Sequence, residues 1–350
     1  MSAVIMTIKQ KLFAQPMVAP DSFKGKKALV TGGTTGLGLA TAIHLAQLGA
    51  STIAITCRDA TRGENAKKKI EEAAGSSKVT VKVLELDMGR YQSVVAFTET
   101  VKKEFATDGG LDWICLNAGV HNASWEQSPE GWDMVIQVNV LSTVLISLLL
   151  LPWLKELRSQ RQSPAHLTIV SSGRHTSPNI SKWEKFAEQD GGLLKHFSAK
   201  ENWPGSPGQY GSSKLLLQYS VKEISQQALD AQGKPDVIIN TCCPGMVWTE
   251  IARTLKDKHF ILRSVEPVLM TLLAQRPDIG ARTYLKAGVT TEAEHGKFIN
   301  NYIADDAYAK KSEPVLTSET AQKVQKLAWA EVIGELTSKV PAVSQVSPAK

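Results

Sequence analysis

Short runs rich in β-branched residues alternate with longer helical patterns along this chain, and that alternation leaves few folds open. Residues 27–31 read as a strand and 36–48 as a helix. The pair recurs at 52–57 and 59–74, at 79–86 and 91–105, at 111–117 and 129–157, and at 166–171 and 209–229. Residues 237–242 form a sixth strand, and 297–301 a candidate seventh. Strands alternating with helices in this way pair in parallel, with helices on both faces of the sheet. The expectation is an α/β fold built on a doubly wound parallel sheet of about seven strands. Such sheets bind ligands beyond the carboxyl ends of their strands, so functional residues should follow each strand directly.

Two stretches break the rhythm. Residues 173–208 separate the fifth strand from its helix, and 246–276 follow the sixth. Both leave the ligand edge, and loops of this length usually serve a function, so both are assigned to a substrate lid. The reading is a 1–24 extension, one domain over 25–310, a helical extension over 311–340 and a disordered tail over 341–350. Within the extension, 321–336 has the pattern of an amphipathic helix closing over one edge of the fold.

The +6 formal charge comes from 40 basic and 34 acidic side chains spread along the chain. The longest basic run, Lys67-Lys68-Lys69, is followed by Glu71 and Glu72, so a solvated helix face explains it and no nucleic-acid partner is expected. Cys57, Cys115, Cys242 and Cys243 lie in or beside apolar runs without CxxC spacing. They read as buried free thiols, with no metal site, in a reducing compartment, here cytoplasmic. Residues 1–20 lack the apolar stretch of a secretory signal. The apolar window 135–154 contains Asn139, Ser142 and Ser147 and reaches Pro152-Trp153, which suits a buried helix and no membrane span.

After the first strand comes Thr31-Gly32-Gly33-Thr34-Thr35-Gly36-Leu37-Gly38. Glycines let the backbone approach a phosphate closely, and the helix that starts near Gly36 offers free N–H groups to a pyrophosphate. This places Gly32, Thr34, Thr35, Gly36, Leu37 and Gly38 in a nucleotide cradle of Rossmann type. The second strand ends Thr56-Cys57-Arg58-Asp59. An acid there would bond the ribose 2′-OH of NAD, whereas a guanidinium suits a 2′-phosphate. Arg58 therefore points to NADP(H), with Arg62 a second candidate and Asp59 a cap for the next helix.

Tyr210 and Lys214 are four apart on a predicted helix and share a face. A free tyrosine titrates near ~10, and a nearby ammonium lowers that value toward a useful catalytic range.

The TGxxxGxG spacing resembles the short-chain dehydrogenase/reductase family, and further motifs match in the family's order over about residues 25–302. Asp87 follows the third strand, Asn117-Ala118-Gly119 the fourth, and Asn139 lies in the long helix. Ser171-Ser172 ends the fifth strand, Tyr210 to Lys214 is the YxxxK motif, and Pro244, Gly245, Val247 and Thr249 fall in a PGxxxT segment. The resemblance implies that Asp87 contacts adenine and that the PGxxxT segment closes on the nicotinamide carboxamide. It implies that Ser172 bonds the substrate oxygen, Lys214 the nicotinamide ribose, and Asn139 a water in a relay to Lys214. Ser172 and Tyr210 are 38 residues apart, well beyond the family's usual spacing, and this gap resembles retinol-dehydrogenase-like and fungal secondary-metabolism reductases.

The implied reaction interconverts a ketone or aldehyde and an alcohol, with Tyr210 as general acid or base. Trp183, Phe186, Leu193, Leu194, Phe197 and Trp203 in the first insertion suggest a small but bulky lipophilic carbonyl or alcohol substrate, of polyketide, terpenoid, steroid or retinoid class. So do Trp248, Phe260, Ile261, Leu262 and Val265 in the second. Packing of the loops themselves is the alternative. His121 and His175 lie near the expected mouth with no partner evident in the sequence. The apolar excess through 145–151, on a helix that pairs subunits in the family, implies a homodimer. Reduction of a C=C or imine, or a non-catalytic NADP(H) sensor or scaffold, are the competing functions.

Overall fold

The computed structural model describes residues 15–76, 78–247 and 274–346. Its strands are β1 (Lys27–Val30), β2 (Thr52–Cys57), β3 (Thr80–Glu85), β4 (Trp113–Leu116), β5 (Ala165–Val170), β6 (Val237–Cys242) and β7 (Phe298–Ile299). They form one parallel sheet in the order β3-β2-β1-β4-β5-β6-β7. The order reverses between β1 and β4, and α/β sheets take their ligands at the carboxyl ends beside such a reversal.

Side chains alternate across the strands and feed two cores. Ala28, Val30, Ile53 and Ile55 pack with α1 (Gly36–Gln47), α2 (Ala60–Ala73) and a helix the sequence pattern does not reveal, α8 (Pro277–Ala287). Leu29 and Ala54 face the other way, toward α3 (Tyr91–Glu104), α4 and α7 (Ser206–Gln227). Helix α4 is one helical stretch in three parts: Met134–Ile136, a π-helical Gln137–Ser142, and Thr143–Glu156. The π segment widens the helix where Asn139 sits, a device that recurs at functional sites.

The stretch Met134–Gln160 is apolar and long enough to cross a membrane, yet 94% of its most apolar window is buried inside the fold. Leu145, Leu148 and Leu150 are fully buried. Each contributes roughly 1.5–3 kcal/mol to folding. The apolar excess behind the expected dimer face is therefore covered within the chain, by the sheet, α3, α7 and the C-terminal segment.

Between β5 and α7 the chain forms a 3₁₀ turn Gly173–Thr176, α5 (Trp183–Ala187) and α6 (Gly192–Ser198). After β7 come α9 (Asp305–Leu316), α10 (Glu319–Lys339) and α11 (Ala342–Val346). Helix α10 packs on α7, α5 and α6. Of the tail expected to be disordered, 342–346 form α11, because Val343 finds a fully buried place in the core beside α4, while 347–350 lie outside the described residues.

Of the six apolar residues named in the first insertion, four take the packing alternative. Trp183, Leu193, Leu194 and Phe197 are buried, with the Trp183 and Phe197 rings 4.7 Å apart. They join the core shared with α10 instead of lining a mouth.

Candidate active site

The cradle is built from backbone and braced by its neighbours. Gly32, at φ +65°, takes the left-handed conformation that other residues resist. Its N–H donates to Thr56 Oγ1 at 2.9 Å, while Asn117 Nδ2 donates to the Thr31 carbonyl at 2.8 Å and Ala118 N–H to Thr31 Oγ1 at 3.0 Å. A Cβ on Gly38 would stand 2.3 Å from the Gly32 carbonyl oxygen, so only glycine lets α1 begin this close to the turn. At the start of α1 the Thr35 side chain makes no capping bond and no acid occupies the first turn. Helix-start N–H groups without a side-chain acceptor suit an anion, and a dinucleotide pyrophosphate fits this cradle.

The other expected cofactor contacts divide. Arg58 is exposed just past β2 and has no ion-pair partner among the described residues, while Asp59 caps α2 by accepting from Arg62 N–H at 2.8 Å. The Asp87 carboxylate turns to its own loop, accepting from Gly89 N–H at 2.9 Å and lying 3.6 Å from Arg90 Nε. Leu37 packs at Gly280 of α8 beside Val247, so its side chain supports the cradle from behind. Pro244, Gly245 and Val247 follow β6, with Val247 bridged to Gln275. Thr249, like Trp248, Phe260, Ile261, Leu262 and Val265, lies outside the described residues.

Four chain segments bring the proposed catalytic side chains together. Ser172 follows β5 and starts the 3₁₀ turn, its Oγ accepting from Arg174 N–H at 3.3 Å. Its hydroxyl is close enough to the phenol of Tyr210, one turn into α7, to favour the phenolate. Burial raises the Tyr210 phenol to about 12, against the pull of the Ser172 bond and the Arg174 guanidinium. Lys214 is 4% exposed and donates to the Val170 carbonyl at 2.9 Å, with Nζ 5.7 Å from the Tyr210 ring centre. Burial lowers its ammonium to about 8.

Desolvation outweighs the Arg174 guanidinium, and Tyr210 is protonated at neutral pH, the form a proton donor needs.

Asn139 is fully buried, and its carboxamide clasps Val120 on both sides. Oδ1 accepts from Val120 N–H at 2.9 Å, and Nδ2 donates to the Val120 carbonyl at 2.9 Å and to Ser213 Oγ at 3.1 Å. A Cβ on Gly119 would lie 3.1 Å from Asn139 Oδ1 and 3.7 Å from Lys214 Nζ, so Gly119 leaves the room in which the two converge.

Both histidines have partners that the sequence did not reveal. His175 is buried, with Nδ1 2.6 Å from the Ser172 carbonyl oxygen and Nε2 3.0 Å from Tyr308 Oη. The His121 ring stacks on that of Tyr210. Tyr302, also missed, brings its hydroxyl to 2.6 Å from where a Gly173 Cβ would stand. The contacts of His175 with Tyr308, of His121 with Tyr210 and of Gly173 with Tyr302 join segments far apart in the chain, and no local spacing announces them.

A family model described as short chain dehydrogenase matches residues 26–182. The short chain dehydrogenase yanD of Aspergillus niger is 35% identical over 335 residues, covering 93% of this chain and 96% of its own. The short-chain dehydrogenase/reductase phmF of Phaeosphaeria nodorum is 34% identical, covering 92% and 90%. Among solved structures, L-sorbose reductase from Gluconobacter frateurii, complexed with NADPH and L-sorbose, shares the fold at TM-score 0.59 and 19% identity, covering 80% of this chain and 97% of its own. A Burkholderia cenocepacia short chain dehydrogenase in complex with NADP does so at TM-score 0.55 and 20% identity, covering 80% and 97%. A chain that matches such enzymes over more than nine-tenths of its length, and carries their sheet, is one of them: it belongs to the short-chain dehydrogenase/reductase family of oxidoreductases.

Proposed function

We propose that this protein is an NADP(H)-dependent reductase that interconverts a ketone or aldehyde and an alcohol on a bulky lipophilic metabolite, with Tyr210 as general acid or base. The observation that carries the reading is buried Lys214, whose Nζ lies 5.7 Å from the Tyr210 ring centre and beside Gly119 and the Asn139 carboxamide at the carboxyl end of the sheet. Bound NADP(H) supplies or accepts the hydride. In reduction, the Ser172 and Tyr210 hydroxyls donate to the substrate oxygen, and Tyr210 gives up its proton as charge develops there. Lys214, poised near neutrality at about 8, would bond the nicotinamide ribose and favour the phenolate left behind. Asn139 would hold the 117–120 loop against α7 and lend its oxygen to a relay of water.

Arg58 supports NADP(H) over NAD(H), as do the NADP and NADPH complexes of the two structural relatives. A paired hydroxyl donor set suits a carbonyl oxygen better than a C=C bond or an imine. Fungal relatives support a place in secondary metabolism. Four free cysteines support a reducing, cytoplasmic setting. The homodimer rests on family likeness alone, and the lipophilic substrate on the second insertion.

Tyr210→Phe tests the core of this reading. Turnover of NADPH with a panel of ketones should fall at least ~10²-fold while NADPH still binds. Near wild-type turnover in the variant would overturn it, and binding without turnover in the wild type would favour the sensor. Arg58→Ala should narrow the preference for NADPH over NADH by about tenfold, the scale of one charge-assisted contact. Equal affinities in the wild type would refute the assignment.

A further inference from the structure

His121 lies in the loop that follows β4, and the chemistry above makes no use of it. Its ring lies on the Tyr210 ring with centroids 4.4 Å apart and planes 29° apart. Its Nε2 is 3.2 Å from the Ser206 carbonyl oxygen, four residues before Tyr210 at the start of α7. A carbonyl only accepts, so Nε2 carries the proton and donates. The backbone behind the ring is fixed as well. The Asn139 carboxamide holds both the N–H and the C=O of Val120, the preceding residue. The same carboxamide donates to Ser213 Oγ, which in turn donates to the Tyr210 carbonyl at 2.9 Å.

The imidazole is therefore secured at its root and at its tip, and both ties lead to the helix that carries the phenol. Burial and the Arg174 guanidinium both disfavour its protonated form, so a neutral ring meets the phenol face at pH 7. The Ser172 hydroxyl lies near the phenol oxygen, but a neighbour at the end of a two-torsion side chain does not fix the ring plane. A flat neighbour does.

We infer that His121 is a positioning residue for the reaction: its ring, secured between the Val120 backbone and the Ser206 carbonyl, holds the Tyr210 phenol at the angle from which the proton moves. The inference rests on Tyr210 being the acid. Displacement of a reacting group by about 1 Å can cost up to ~10²-fold in rate, and an aromatic pair supplies only part of that restraint. The expected loss is about tenfold.

The test uses the full chain, with NADPH oxidation by 9,10-phenanthrenequinone as the assay. His121→Ala should lower kcat about tenfold with the KM for NADPH nearly unchanged. His121→Phe, which restores a flat ring without the hydrogen bond, should return kcat to within about threefold of wild type, and His121→Asn should not. A His121→Ala variant with wild-type kcat, or one that raises only the KM for the quinone, overturns the inference. Tyr210→Phe is run in parallel. If it too keeps its turnover, the reading of Tyr210 fails; if it is inactive while His121→Ala is unimpaired, only the positioning role fails. Crystal structures of wild type and His121→Ala decide the matter even if the quinone is not turned over. The Tyr210 ring should rotate by roughly 30° or split into two conformers, and a single unmoved ring refutes the claim.

Discussion

The cradle between β1 and α1 and the segment between β5 and α7 bound the same site from two sides, and they are held by different means. The cradle is backbone, and its braces come from the neighbouring strands and their loops: Thr56 near the end of β2, Asn117 and Ala118 after β4. The 173–205 segment is held by side chains from far along the chain. Glu331 of α10 accepts the N–H groups of Leu193 and Leu194, Tyr308 of α9 meets His175, and Trp125 donates to the Ser198 carbonyl. One side of the site is thus fixed by the sheet itself, and the other by a C-terminal extension that must fold back onto it. Damage to the cradle should show in cofactor binding, and damage to the extension in stability around Ser172.

The sharpest way to break this contrast is Gly38→Ala. Its methyl would stand 2.3 Å from the Gly32 carbonyl oxygen and 2.6 Å from Asn117 Nδ2, so the turn or the helix start must move. Overpacking of this kind costs about 1–3 kcal/mol, which at the binding site becomes a loss of up to ~10²-fold in NADPH affinity. Fluorescence titration reads it directly. An affinity close to wild type would mean that the close backbone approach is not what forms the cradle.

The same contrast explains what the sequence disclosed. The strands and the cradle were legible because each is a local pattern: β-branched runs, a fixed glycine spacing, a tyrosine and lysine one helical turn apart. The sheet agrees with those runs to within a residue or two at most ends. Trp183 and Phe197 left both readings open because an apolar side chain in a long loop looks alike whether it lines a pocket or packs under α10. His175 looked partnerless because Tyr308 lies 133 residues away. The surroundings of Tyr210 were hidden for a related reason. Sequence spacing gave the cation four residues on, but neither the burial that raises the phenol nor the Val170 carbonyl to which Lys214 turns. The region 277–287 shows how a short amphipathic helix is passed over when Gly280 interrupts its apolar face.

Acid should sharpen the contrast further. Burial holds the His175 imidazole at about 4, against 6.5 for the free group. Above pH 6.5 it is neutral in both folded and unfolded chains, and its contribution to stability is fully present. Between about 6.5 and 4 the unfolded chain takes up a proton that the folded chain refuses, so stability falls as pH falls. The loss approaches roughly 3 kcal/mol at the low end. His175→Phe should flatten the dependence of unfolding free energy on pH across that window, other titrating groups being common to both proteins. Parallel slopes in urea denaturation would show that His175 titrates normally.

The smallest effect is the most selective. The Glu331 carboxylate takes two hydrogen bonds at 2.9 Å from consecutive N–H groups in the first turn of α6, and burial raises its pKa. Glu331→Ala leaves both donors without an acceptor in a partly buried place, at a cost of about 1–3 kcal/mol. Glu331→Gln keeps one acceptor oxygen and should fall between. Hydrogen exchange should quicken at Leu193 and Leu194, and the unfolding midpoint should drop. NADPH affinity should stay near wild type, because no cradle contact passes through α10. If affinity fell in step with stability, the extension would be bracing both sides of the site, and the division between a self-supporting cradle and a dependent insertion would have to be abandoned.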